Sequence, residues 1–169
     1  MVKAHVKYDT GQWFAVPLRD GGYALGIIVR GSYRTKGGLG YFFGPKHEEL
    51  PNSDDISALQ PSDAVLITWF GDLGIIRGKW PLIFSNRAFR SEEWPIPLFR
   101  RDATSEKGWL VEYHHNATGY DGIMRETLHE MKDLEGLPRE ADFGSGAIEI
   151  ELTKVLAASE ASESKNLID

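Results

Sequence analysis

The sequence predicts an α+β fold: a mainly antiparallel, twisted sheet or partial barrel with a C-terminal helix packed against it. Three stretches carry that expectation. GQWFAVPLRDGGYALGIIVR, from Gly11 to Arg30, alternates apolar side chains with a period of two on either side of a glycine-containing turn. AVLITWF, from Ala64 to Phe70, is a continuously apolar, β-branched run of strand length. After Asp121 the apolar spacing changes to that of a helix.

In the first hairpin, Phe14, Val16 and Leu18 point one way and Trp13, Ala15 and Pro17 the other, as in a half-buried strand. Asp20-Gly21 supplies the positive-φ residues of the turn. The returning strand sets Tyr23, Leu25, Ile27 and Val29 on one face and Ala24, Gly26 and Ile28 on the other. A two-stranded hairpin is marginal alone and has to pack against more sheet. A glycine inside a strand, as at Gly26, marks a bulge or the close approach of another group.

Leu39 to Phe43 reads as a short third strand. The segment Gly44 to Asp63 is the most loop-like interior stretch, with three prolines and the acidic pairs Glu48-Glu49 and Asp54-Asp55. Asp54 is placed to cap one short helical turn through Leu59. A loop this long inside a compact domain is often functional. After the Ala64–Phe70 strand, Gly74 to Gly78 and Trp80 to Phe84 are short strand candidates. Ser85 to Pro97 is irregular, and Leu98–Arg101 and Trp109–Tyr113 form a second hairpin with Trp109, Val111 and Tyr113 on one face.

Asp121 caps an expected helix from Gly122 to Glu135, with Ile123, Met124, Leu128, Met131 and Leu134 as its apolar stripe. Gly136-Leu137-Pro138 gives that helix its stop. Residues 147–156 fit either a strand (Ile148, Ile150, Leu152) or a helix (Ile148, Leu152, Val155, Leu156), and the helical reading is preferred. The expected organisation is a single domain over residues 1–158 and a small, polar, disordered tail over 159–169.

The chain has 169 residues and no cysteine, which excludes disulfides, thiolate nucleophiles and Cys-based zinc sites. No N-terminal signal peptide and no run of about 18 apolar residues are visible, so neither export nor a membrane span is expected and the setting is taken as cytoplasmic. A net charge of −6 argues against nonspecific nucleic-acid binding, which needs a basic footprint. It suits a basic partner, although a mildly acidic balance also simply favours solubility.

Catalytic signatures are missing at the level of pattern. Gly37-Gly38-Leu39-Gly40 lacks the strand–glycine–helix context of a dinucleotide fingerprint and the Gly-Lys-Ser/Thr of a phosphate loop. His114-His115 ends a strand, where neighbours face opposite ways, and His5, His47 and His129 are scattered, so no metal site is expected. Ser53, Ser62 and Ser145 lie in no nucleophile elbow. Glu48, Glu49, Asp54 and Asp55 have the chemistry of an acid–base pair, but their position in a polar loop fits a solvated or partner-contacting acidic patch better. The five tryptophans sit in or beside expected strands, as core-filling aromatics do; a Trp-rich sheet face binding a small molecule or peptide is the alternative. A hydrolase without a recognisable motif is a further alternative, and it requires converging carboxylates or histidines in a cleft.

Several motifs occur together in order. Gly11-x-x-Phe14-Ala15-Val16-Pro17-Leu18 precedes Asp20-Gly21-x-Tyr23-Ala24-x-Gly26; then come Gly78-Lys79-Trp80-Pro81, Glu93-Trp94-Pro95-x-Pro97-x-Phe99, Trp109-Leu110-Val111-Glu112-Tyr113 and Gly144-Ser145-Gly146-Ala147-Ile148-Glu149-Ile150. This succession, from Tyr8 to Leu156, resembles the bacterial toxin-immunity family known as immunity protein 26. Gln12, Trp13 and His114-His115-Asn116 depart from its pattern, the last replacing an acidic run. The resemblance implies a β-rich, cofactor-free, non-catalytic protein that neutralises the toxin domain encoded beside it by stoichiometric binding. For a nuclease toxin, a basic substrate cleft would attract acidic side chains, which makes Glu48, Glu49, Asp54 and Asp55 the candidate partner-binding residues.

Overall fold

The computed structural model describes residues 5–167. Among the described residues nine strands form two sheets. A six-stranded sheet has the order β5-β1-β2-β3-β4-β9, built from β1 (Gln12–Pro17), β2 (Tyr23–Ser32), β3 (Gly37–His47), β4 (Leu66–Gly71), β5 (Leu82–Ser85) and β9 (Asp142–Phe143). Its pairings are antiparallel except the short parallel β4–β9 contact, and it stays open, with β5 and β9 at its edges. A three-stranded antiparallel sheet holds β6 (Phe99–Asp102), β7 (Lys107–Tyr113) and β8 (Ile123–Glu130). Helices are the single turn α1 (Leu73–Ile76) and the long α2 (Ser145–Asn166). Among the described residues, no helix is long and apolar enough to cross a membrane.

The first hairpin is the centre of the molecule, and the side-chain parity read from its sequence is the parity observed. Leu25, Ile27 and Val29 of β2 join Trp13, Tyr41, Phe43, Trp69 and Trp94 in a cluster that also takes Phe99, Val111 and Tyr113 from the smaller sheet. Phe14, Val16, Ala24 and Ile28 join Phe42, Phe70, Ile75 and Trp80 on the other side, under Ile148, Leu152 and Leu156 of α2. The hairpin is therefore buried on both faces, not one. The smaller sheet covers one side of the larger sheet, and α1 and α2 cover the other. Leu18, Gly21 and Gly22 close the turn through Leu18 N–H to Gly22 O at 2.9 Å, with φ of +93° and +73° at the two glycines.

The expected Gly122–Glu135 helix is instead strand β8 followed by a 3₁₀ turn over Met131–Leu134. Its charges made the stretch look like a helix with a solvent face. In the fold they are cross-strand partners: Arg125 Nε lies 2.7 Å from Glu112, Lys107 Nζ lies 3.6 Å from Glu130, and Arg101 pairs with Glu126. The supposed stripe is not buried as a stripe either: Met124 and Leu128 are both about half exposed, while Leu134 is buried and Ile123 packs half-buried against the core. Gly136 still serves as the stop, at φ +83°. Gly74–Gly78, expected as a strand, instead overlaps α1, because Asp72 O accepts from Ile75 and Ile76 N–H and starts a helical turn.

The helix that packs on the sheet is α2. Ile148, Leu152 and Leu156 recur every fourth residue and are buried, which decides the ambiguous 147–156 segment. Gly44 of β3 makes room for it: a Cβ there would lie 2.5 Å from Leu156 Cδ2. Glu149 anchors the helix, accepting from Trp80 Nε1 at 2.9 Å and from Arg19 Nε at 3.0 Å, while Thr153 Oγ1 accepts from Arg19 N–H. The helix runs on through Asn166, so the expected disordered tail is helical from Ser159 to Asn166, with every side chain from Ala157 to Leu167 exposed. The rest of that tail, Ile168 and Asp169, lies outside the described residues.

Candidate functional site

The segment between β3 and β4 carries the acidic residues singled out from sequence, and its fold separates an apolar underside from a charged outside. Pro51 and Ile56 are buried, and Leu59 and Ala64 pack on the same cluster that joins the two sheets. Two 3₁₀ turns, Ser53–Asp55 and Pro61–Asp63, stiffen it. Asn52, not Asp54, is the cap of the first turn: its Oδ1 accepts from Asp54 N–H at 2.9 Å, and Asp55 Oδ2 accepts from Asn52 N–H at 2.9 Å. In the second, Asp63 Oδ2 accepts from Gln60 N–H at 2.8 Å. The loop is braced from beneath and capped from within.

Glu48, Glu49, Asp54 and Asp55 are all exposed on this segment. Asp55 is committed to the cap. The carboxylates of Glu48, Glu49 and Asp54 make no hydrogen bond or ion pair among the described residues. Sequence reasoning missed three acids nearby. Asp63 shares a cleft of about 380 Å³ with Glu160 and Glu163 of α2, beside Lys46, which pairs with Asp20 at 3.5 Å. The i, i+3 spacing of Glu160 and Glu163 was available in the sequence, but only once the tail is helical do the two share a face.

Other candidates take structural places. His114 and His115 are exposed, and the His115 carbonyl accepts from Arg30 Nε at 2.8 Å. Buried Arg30 also donates to the carbonyls of Val29, Trp94 and Ser91, and burial lowers its pKa. Among the described residues no group of three or more His, Cys, Asp or Glu is arranged to hold a metal ion. Four tryptophans are at most 7% exposed inside the two clusters and Trp109 packs against one of them, so the aromatic sheet faces are core. Trp69 Nε1 and the Tyr113 hydroxyl, buried side by side with ring centroids 5.0 Å apart, have no hydrogen-bond partner among the described residues; burial and then the charge of Glu140 raise the Tyr113 pKa.

The sequence model of the family described as Immunity protein 26 matches residues 9–110, more than half of the chain. The chain belongs to the immunity protein 26 family. The matched region runs from the start of the first hairpin into β7 and includes the whole acidic β3–β4 segment. The Gly144–Ile150 stretch, which opens α2, lies beyond it, as do Val111 to Tyr113. Comparison with curated proteins and with solved structures gave no match. By family this is an immunity protein, carried on an α+β fold with an open, mostly antiparallel sheet.

Proposed function

We propose that this immunity protein neutralises a cognate bacterial toxin domain by stoichiometric binding in the cytoplasm, without catalysis or cofactor, and that the β3–β4 segment forms part of the contact. Membership of the immunity protein 26 family carries the reading. Three features support the location. The segment lies within the matched residues, its apolar side is fixed to the core, and Glu48, Glu49 and Asp54 are exposed and unengaged. A pre-ordered loop loses little conformational freedom on binding. Outward carboxylates accelerate the encounter with a basic surface such as a nuclease's substrate cleft.

The test is association kinetics with the toxin domain encoded by the neighbouring gene. Glu48→Lys, Glu49→Lys and Asp54→Lys are combined, and Asp55 is left in place because its loss would remove a cap worth about 1 kcal/mol. The expected result is slower association, with the gap between variant and parent narrowing as salt rises. An unchanged rate at both low and high salt would take the loop out of the interface. Absence of any complex between the parent protein and that toxin domain would overturn the immunity reading itself.

A further inference from the structure

A cleft of about 690 Å³, with no tryptophan among its described lining residues, opens beside the turn α1. Its wall is formed by Val6 and the Tyr33 ring, by Gly71 at the end of β4, and by Leu73 and Ile76 of α1. Leu73 is about half exposed although it is a large apolar side chain. His5, Lys7 and Lys36 line the same cleft. Asp72 is the one carboxylate among its described lining residues, and it is buried and already accepts from the Tyr8 hydroxyl at 2.7 Å.

Two features give the cleft a ligand chemistry. A volume of this size, mostly apolar with a few polar groups, is that of a small-molecule site and not of a packing defect. Its mouth also inverts the charge of the protein: the chain carries −6 overall, yet neither Lys7 nor Lys36 lies within ion-pair distance of a carboxylate among the described residues. Lys7 Nζ instead sits 5.5 Å from the Tyr33 ring centroid, where Arg34 approaches at the same distance. Two unpaired ammonium groups beside an apolar wall complement a molecule with an anionic head and an apolar tail.

We propose that this cleft binds an amphipathic carboxylate, a medium-chain acyl or aryl acid, with its tail against Val6, Leu73 and Ile76 and its headgroup held by Lys7 and Lys36. The proposal does not depend on the toxin-binding role. The probes are decanoate and decanol, titrated calorimetrically and followed by amide chemical shifts. Decanoate should bind saturably, with shifts centred on Val6, Tyr33, Lys36 and Leu73, and at least tenfold tighter than decanol. The Lys7→Ala/Lys36→Ala double variant, altered at exposed positions, should lose that preference, and Leu73→Asp should weaken both probes. Four results would overturn the proposal: no saturable binding at millimolar decanoate, equal affinity for acid and alcohol, shifts scattered over the surface, or variants that bind as the parent does.

Discussion

Gly26 is the position where one added side chain tests the architecture most directly. It sits mid-β2 opposite Phe14, and a Cβ built on it would lie 2.5 Å from Phe14 Cζ and 2.6 Å from Cε2, against 3.4–4 Å for an ordinary contact. The ring has to withdraw by close to an ångström. Nothing behind it gives way easily: Phe14 is fully buried, stacks on Trp80 at 5.6 Å, and meets Phe42 and Phe70 at 5.9 Å each. Gly26→Val adds three carbons to that space. Overpacking of this kind costs about 1–3 kcal/mol, partly offset by the ~0.4–1 kcal/mol that replacing glycine gains from a less free unfolded chain. The expected net loss is about 1–2 kcal/mol, read as a lowered denaturant midpoint at constant slope, or as a fall of about 2–4 °C in Tm per kcal/mol for a chain of this length. Phe14→Leu in the same chain should recover part of the loss, because the two changes share one space. A Gly26→Val protein with the parental midpoint, or strict additivity with Phe14→Leu, would refute the packing described.

Arg30→Met should destabilise by about 1–3 kcal/mol in denaturant titration by leaving buried carbonyls at Val29 and Trp94 without their donor. Arg30→Lys should recover only part, since an ammonium cannot fan out to four carbonyls; full recovery would count against that role. Burial pushes the Tyr41 hydroxyl, which donates to the Pro95 carbonyl, up to about 12, with the Arg30 charge opposing. The native state therefore keeps this proton where the unfolded chain releases it near pH ~10, so the stabilisation is intact below pH ~10 and falls as pH rises towards 12. Tyr8, Tyr113 and Tyr120 are also pushed up, first by burial, so phenolate absorbance titration of the parent against Tyr41→Phe should show one late-ionising group fewer, not none. Truncation after Ala158 removes, among the described residues, only exposed ones, nearly all of them helical; helical circular dichroism should drop while the unfolding free energy moves by less than ~0.5 kcal/mol.

How much of this was legible in the sequence follows from which interactions are local. The hairpin faces, the AVLITWF strand and the second hairpin were readable because period-two alternation survives any tertiary arrangement. Burial of the first hairpin on both faces was not readable from it alone: Ala24 and Ile28 look like a lightly apolar second face until Trp80, Phe70 and α2 arrive from elsewhere in the chain. Ile123–Glu130 failed for the opposite reason. Its helical stripe was real as spacing, but β7 offers Lys107 and Glu112 in register with Glu130 and Arg125, and pairing across strands outweighed the local pattern. The tail was misjudged because composition reports what a segment can bury and not what it continues from. Nucleated on Ile148, Leu152 and Leu156, the helix extends through residues that bury nothing themselves. At the candidate site the exposed acids were legible, whereas the cap role of Asp55 and the meeting of Asp63 with Glu160 and Glu163 needed the fold.

That distribution bears on where a partner can be held. The central strands β1 to β3 lend their side chains to the two core clusters, so their faces have little to offer a second protein. The segments that leave the sheet are what remains for the proposed partner, and these differ in preparation. The exposed end of α2 is helical but lies against no core, so a partner using it must hold it in place. The β3–β4 segment is fixed through Ile56 and Leu59 and by reciprocal hydrogen bonds at Asn52 and Asp55, so its carboxylates are presented at little further backbone ordering cost. Reversing its charges should therefore act mainly on the rate of encounter. Cutting Ile56 back to Ala, by contrast, should loosen the platform and act on the lifetime of the complex. If Ile56→Ala slowed association as much as charge reversal did, with the lifetime unchanged, the loop would be steering without being held in the contact.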